Sequence, residues 1–177
     1  MSDQVKAYTE LEARTYFSGR YGFEVLNEHG DVLRAFDFHN ANPLAAIDDI
    51  LSVYLASGAQ KLLWYFGIIN NSPTPSLSTN DTAASHAGWS EFTNYTQATR
   101  QAWTPGSVSG QSVTNPTSAS FTMDTGGGAL YGAFIASSST KSGTAGILFS
   151  TGAFPSVQTL SVGQILRTTF TETGAAA

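Results

Sequence analysis

The sequence has 177 residues, enough for one domain with a core of its own. Eight Lys and Arg against thirteen Asp and Glu give a net charge of −5, which argues against a nucleic-acid binder with its basic face. There is no cysteine, so disulfides, thiolate metal sites and thiol nucleophiles are excluded, and no apolar run approaches the roughly 20 residues of a membrane span.

Residues 1–18 are expected to form a loosely held arm or an edge strand, followed by a single β-rich domain over 19–173 and a flexible tail at 174–177. The opening MSDQVKAYTELEAR has no apolar stretch of the secretory kind, so synthesis in a cytoplasm is expected. Tyr21, Phe23 and Val25 share one parity, and Val32, Phe36 and Phe38 share another. With Asn27-Glu28-His29-Gly30-Asp31 as the turn and Gly30 free to take a positive φ, this predicts a β-hairpin.

Asn42-Pro43 opens the one convincing helix, predicted over about 43–57, with Asn42 as its cap and Pro43 at the first helical position. Leu44, Ile47, Leu51, Tyr54 and Leu55 fall at spacings of three and four, so one apolar stripe is expected to lie across a sheet, and Gly58 is the natural stop. The run Leu62 to Ile69 is apolar on both parities and predicts a central strand buried on both sides. From Asn70 to about Trp89 the chain reads as a long polar loop, of a length that tends to be functional or disordered.

Short strands are predicted near Glu91–Thr96, Gln111–Thr114, Ala119–Met123, Ala129–Ile135, Ile147–Phe149 and Ile165–Thr171, with turns at Gly126-Gly127-Gly128, Ser142-Gly143 and Ser161-Val162-Gly163. The fold class that follows is mainly β, an antiparallel sandwich or barrel (jelly-roll-like) with an N-terminal hairpin and one α-helix. Charge is uneven along it. Residues 62–177 carry only Arg100, Lys141, Arg167, Asp81, Glu91, Asp124 and Glu172, among abundant Ser, Thr and Gly. Such a surface suits extracellular, lectin-like or viral structural domains better than a cytosolic enzyme, whose chain is commonly nearer 25% charged.

Tests for chemistry give little. His29 sits in the hairpin turn, His39 precedes the helix, and the three histidines lack the spacing of a metal site. Asp81, Ser85 and His86 supply the residue types of a catalytic triad, without a nucleophile elbow. The four acids after residue 62 are widely spaced and form no hydrolase pair. The triple glycine at 126–128 lacks the Lys-Ser/Thr ending of a phosphate loop. Three Asn-x-Ser/Thr patterns, at Asn70, Asn80 and Asn94, are chance matches without a signal peptide. Trp89, Tyr95 and Trp103 could stack a sugar, although core packing or an interface is the commoner use of such aromatics. No catalytic residue, metal or cofactor is assigned, and no nucleic acid or membrane is expected as a partner.

The stretch Leu63-Trp64-Tyr65-Phe66-Gly67-Ile68-Ile69-Asn70, the block from Asp81 to Phe92 and Ala98-Thr99-Arg100-Gln101-Ala102-Trp103 together resemble a group of small proteins encoded by tailed bacteriophages. The group's genes commonly lie in the virion structural block near the capsid gene. The resemblance continues through Gly132-Ala133-Phe134-Ile135 and Thr140 to Leu148, and covers most of residues 20–173. It implies a non-enzymatic decoration or cement protein on the capsid surface of the virion. Its partners would be the major capsid protein and further copies of itself, a trimer being preferred because decoration at threefold positions favours it. Such proteins need a rigid β scaffold and loops that reach neighbours. The loop around His86 and Trp89, with Arg100 and Trp103, is therefore the expected interface, since Trp and Arg commonly anchor such surfaces. The alternatives are a tail, adaptor or head-fibre component of the virion, and a carbohydrate-binding module using Trp89, Tyr95 and Trp103.

Overall fold

The computed structural model of the chain describes residues 15–176. Its elements in chain order are β1 (Thr15–Leu26), β2 (Val32–His39), α1 (Leu44–Leu55), β3 (Trp64–Asn70), β4 (Glu91–Phe92) and β5 (Gln101–Trp103). There follow β6 (Ser112–Thr114), β7 (Ala119–Thr122), β8 (Gly128–Ala136), β9 (Leu148–Leu160) and β10 (Ile165–Ala176). Two antiparallel sheets result. The first runs β2-β1-β10, with β6 and β7 on the far side of β10, and the second runs β3-β8-β9, with β4 and β5 beside β3. Neither closes on itself, so the sandwich of the two expected architectures is the one formed.

The hairpin forms as its parity requires. Tyr21, Phe23 and Val25 are buried, Gly30 takes φ 91°, and the Asn27 side chain accepts bonds from the amides of His29 and Asp31. Val32 departs from the expected core face and is exposed. A bulge between Val25 and Leu26 sets it opposite Leu26, off the face that Val25 and Arg34 share. Arg34, opposite Val25, reaches across to Gln158 Oε1 at 2.7 Å and the Thr159 carbonyl at 3.1 Å.

The first strand is longer than the sequence pattern suggests. β1 begins at Thr15 and pairs over its full length with β10, which continues to Ala176. Residues 15–18, expected as a loosely held arm or an edge strand, are strand and pair with β10 alone, while residues 174–176, expected in the tail, are strand as well. Residues 1–14 of the expected arm lie outside the described residues. Between the sheets the core is largely aromatic, with Phe154 of β9 standing edge-on to Phe23, Phe36 and Phe38 at 5.0–5.4 Å. Gly152 permits this closure of β9 on the hairpin, because a Cβ there would lie 2.6 Å from the Phe38 ring.

The helix forms at the predicted place but is held differently. Asn42 does not cap it. Its amide donates to the Phe149 carbonyl and its oxygen accepts from Asn40, while the first helical amide, that of Leu44, bonds to Thr79 O at 2.8 Å. At the other end Ser57, not Gly58, takes the left-handed conformation, and Gly58 N bonds to Ser52 O. The apolar stripe is the larger departure. Only Ala46 of the helix is fully buried, and Leu44, Leu51, Tyr54 and Leu55 face solvent.

β3 is the two-sided central strand that its sequence predicts. Phe66 and Ile68 point into the inter-sheet core, and Ile69 belongs to a second apolar cluster on the opposite face. Leu62 and Leu63 precede the strand and are exposed, Trp64 and Tyr65 are half-buried, and the two-sided burial begins only at Phe66. Further on, β6, β7 and β8 lie where predicted. β4 is only two residues long, with Tyr95 bridging Met123, and β5 was not foreseen. The strand expected at Ile147–Phe149 becomes thirteen residues, its pattern obscured by Gly152 and Pro155.

Candidate functional site

The outer face of the second sheet carries Ile69, Phe134, Ala136 and Leu148, which water would not leave bare. The segment between β3 and β4, predicted as a polar loop, covers it by setting Leu77, Ala83 and Trp89 against those side chains. Hydrogen bonds within the segment hold the loop in shape. Ser76 N bonds to Gly88 O at 2.8 Å, and Asp81 Oδ2 accepts from the Ser78 amide and the Trp89 indole, both at 2.9 Å. Gly88 is needed at the pinch, since a Cβ would lie 2.2 Å from Ser76 O.

A second wall is the segment between β8 and β9, tied down by a buried ion pair. Arg100 donates from Nε to Glu91 Oε1 at 3.0 Å and from Nη2 to Oε2 at 2.8 Å, and the two side chains are 4% and 2% exposed. Two further guanidinium protons reach Ser138 O and Gly143 O, and the Ser142 amide donates to Glu91 Oε2 at 2.6 Å. The planar fork suits this bidentate geometry, which Lys could not reproduce. The guanidinium also lies 4.9 Å above the Phe134 ring. Lys141 adds a further tie, donating to Thr93 O and Tyr95 O at 3.0 and 2.9 Å with its ammonium 3.7 Å above the Tyr95 ring. Partial burial draws its pKa down.

Between the two walls lies a cleft of about 430 Å³. Its lining combines apolar Ala83, Phe134, Ala136 and Leu148 with polar Ser85, Ser142 and Thr144, and His86 and Ala87 stand on the loop wall. The His86 ring stacks on Trp89 at 4.0 Å between centroids, with Nδ1 3.1 Å from Trp89 O. A carbonyl only accepts, so Nδ1 carries the proton in this contact.

Three of the four expected interface residues therefore meet at one place. His86, Trp89 and Arg100 all line the cleft, whereas Trp103 lies in the inter-sheet core, its indole donating to Phe170 O at 3.2 Å. Trp89 and Arg100 are buried within the single chain and support the cleft, and His86 is the partly exposed member. The triad residue types do not assemble, because Asp81 is held by Trp89 and Ser78 instead of His86. Nor do Trp89, Tyr95 and Trp103 make a stacking platform. Tyr95 and Trp103 are in the core between the sheets, and Trp89 is under the loop on the outer face. Among the described residues no three His, Asp or Glu side chains gather as metal ligands would, and no helix is long and apolar enough to cross a membrane.

Glu91 and Lys141 escaped the sequence reading, yet they build one wall of the cleft. The available signal was scarcity. In a stretch with seven charges, each retained charge is a candidate staple, and six of the seven have a specific partner here. Besides those above, Arg167 pairs with Glu24 at 3.2 Å and Asp124 accepts from the Thr125 amide. Glu172 is the exception.

The floor of the cleft depends on one glycine. Gly67 lies opposite Phe134 in the β3–β8 ladder, and a Cβ there would fall 2.1 Å from the Phe134 ring. Gly67→Ala is expected to displace that ring and cost about 1–3 kcal/mol of stability through overpacking. Trp89 fluorescence and denaturant titration check both effects, because Trp89 and Phe134 are neighbours at 5.2 Å. Compared with protein-family models and with curated proteins, the chain matches none.

Proposed function

We propose that this chain is a non-enzymatic structural protein of a tailed-phage virion, which binds the outer surface of the capsid and stabilises its lattice. The observation that supports this reading best is the use made of charge in the cleft. Arg100 and Glu91 satisfy each other and the wall backbone, so the cleft offers a partner a hydroxyl rim held in fixed positions above a packed apolar floor. Such a surface is suited to docking, where preorganised shape limits the ordering cost of association. The partner that fits is a segment of the capsid protein whose backbone amides and carbonyls face Ser85, Ser142 and Thr144, with a small apolar side chain against Ala87 at the cleft mouth. Hydrogen-bonded contacts of this kind depend little on charge steering.

Quantifying this chain against the major capsid protein in purified particles tests the reading. A copy number comparable with that of the capsid protein is expected. A few copies per particle would move the protein to the tail or a vertex, and absence would overturn the reading. The cleft is tested separately by Ala87→Arg, an exposed position on its wall. That side chain fills the opening without touching the core, and loss of particle association with unchanged thermal stability is the expected result.

A further inference from the structure

The stripe on α1 is an exposed apolar surface that the described residues leave uncovered. Leu44, Leu51, Tyr54 and Leu55 are 50–80% exposed, and their spacing aligns them along one side of the helix. Phe17 of β1, 43% exposed, continues the patch across a groove of about 610 Å³ that Ile47, Leu51, Asn40 and Asn42 also line. With large side chains of about 200 Å² each, these exposures amount to roughly 600 Å² of apolar surface, at the upper end of what monomers leave bare. It is also enough for the core of a contact burying about 800 Å² per partner.

We infer that this face is where two copies of the chain meet. The occupant follows from the chemistry of the patch and from its area, which matches the core of a dimer contact. Lasting self-contacts are the more hydrophobic kind, whereas surfaces that bind a partner only at assembly resemble ordinary protein surface. A row of Leu and Tyr along one helix side is also self-complementary, so two such helices can pack against each other about a twofold axis, a pairing that differs from the trimer the resemblance implies. The inference is independent of the proposed capsid binding and concerns only the contact between copies of the chain.

The test is sedimentation equilibrium of the isolated protein over a wide concentration series. Wild type is expected to give a mass of more than one chain, and Tyr54→Glu/Leu55→Glu a single-chain mass with an unchanged circular dichroism spectrum. Both positions are 80% exposed, so the substitutions leave the core alone. Leu44→Glu/Leu51→Glu serves as a second variant should the first fail to fold. A monomeric wild type, or a folded variant that associates like wild type, overturns the inference. Because no capsid is present, that failure is distinct from a failure of particle binding.

Discussion

Arg100→Ala is expected to lower the unfolding free energy by about 3–5 kcal/mol, because removing one partner leaves the Glu91 carboxylate buried and unpaired. The cost also includes the bonds that Arg100 makes to Ser138 O and Gly143 O, which hold the second wall of the cleft. Glu91→Ala should cost a similar amount for the mirror reason, stranding the guanidinium. By contrast Arg100→Met/Glu91→Leu, which removes both charges and keeps apolar volume over Phe134, is expected to recover much of the loss. Denaturant midpoints of the three variants decide this. A large loss in each single variant with recovery in the double identifies a buried pair whose breakage is costly. Three equal losses would instead place the cost in the backbone ties. Hydrogen exchange adds a local readout, since the Ser142 amide donates to Glu91 and should lose protection in either single variant.

Glu172→Gln is expected to stabilise the protein at pH 8, by about 3 kcal/mol, and to flatten its stability profile between pH 4.5 and 7.5. Glu172 lies on the core-facing side of β10, 7% exposed, and neither carboxylate oxygen has a hydrogen-bond partner. Burial pushes its pKa up to about 7, against a smaller opposing pull from the nearby Asn42 amide. Because the folded pKa is raised above the unfolded value of 4.5, the folded state binds more protons between those two pH values. Stability therefore falls as pH rises through this window, and above it the full penalty of a buried, unpaired carboxylate remains. The amide of glutamine is neutral throughout and removes the titration. Chemical denaturation of both proteins at pH 5 and pH 8 measures the effect. A wild-type profile that is flat across this range would show that the carboxylate stays charged at no cost.

Local alternation was enough to place the hairpin, the two-sided strand β3 and the glycine turns. Each depends on neighbours in sequence: a period of two, an apolar run, or a positive φ. The candidate site was legible in part. His86, Trp89 and Arg100 stood out as residue types, and they do line one cleft, but Trp103 looks the same in sequence and belongs to the inter-sheet core. Nothing local distinguishes these tryptophans, because the side of the sheet each one reaches depends on how distant strands pair.

The sequence by itself determined the class of the protein. Short alternating runs punctuated by glycine dictate antiparallel sheets, and the scarcity of charge after residue 62 dictates a surface of hydroxyls and backbone. Tertiary structure alone decided which apolar stripe is covered. The α1 stripe has a regular helical period and remains exposed, whereas the polar segment between β3 and β4 buries Trp89 and Ala83 over the second sheet. Periodicity states that a face exists, and only long-range packing supplies the surface that covers it. The same holds for the charges. Arg100 and Glu91 are nine residues apart, but the staple they form also needs the carbonyls of Ser138 and Gly143. Those carbonyls come within reach only because β8 pairs with β3.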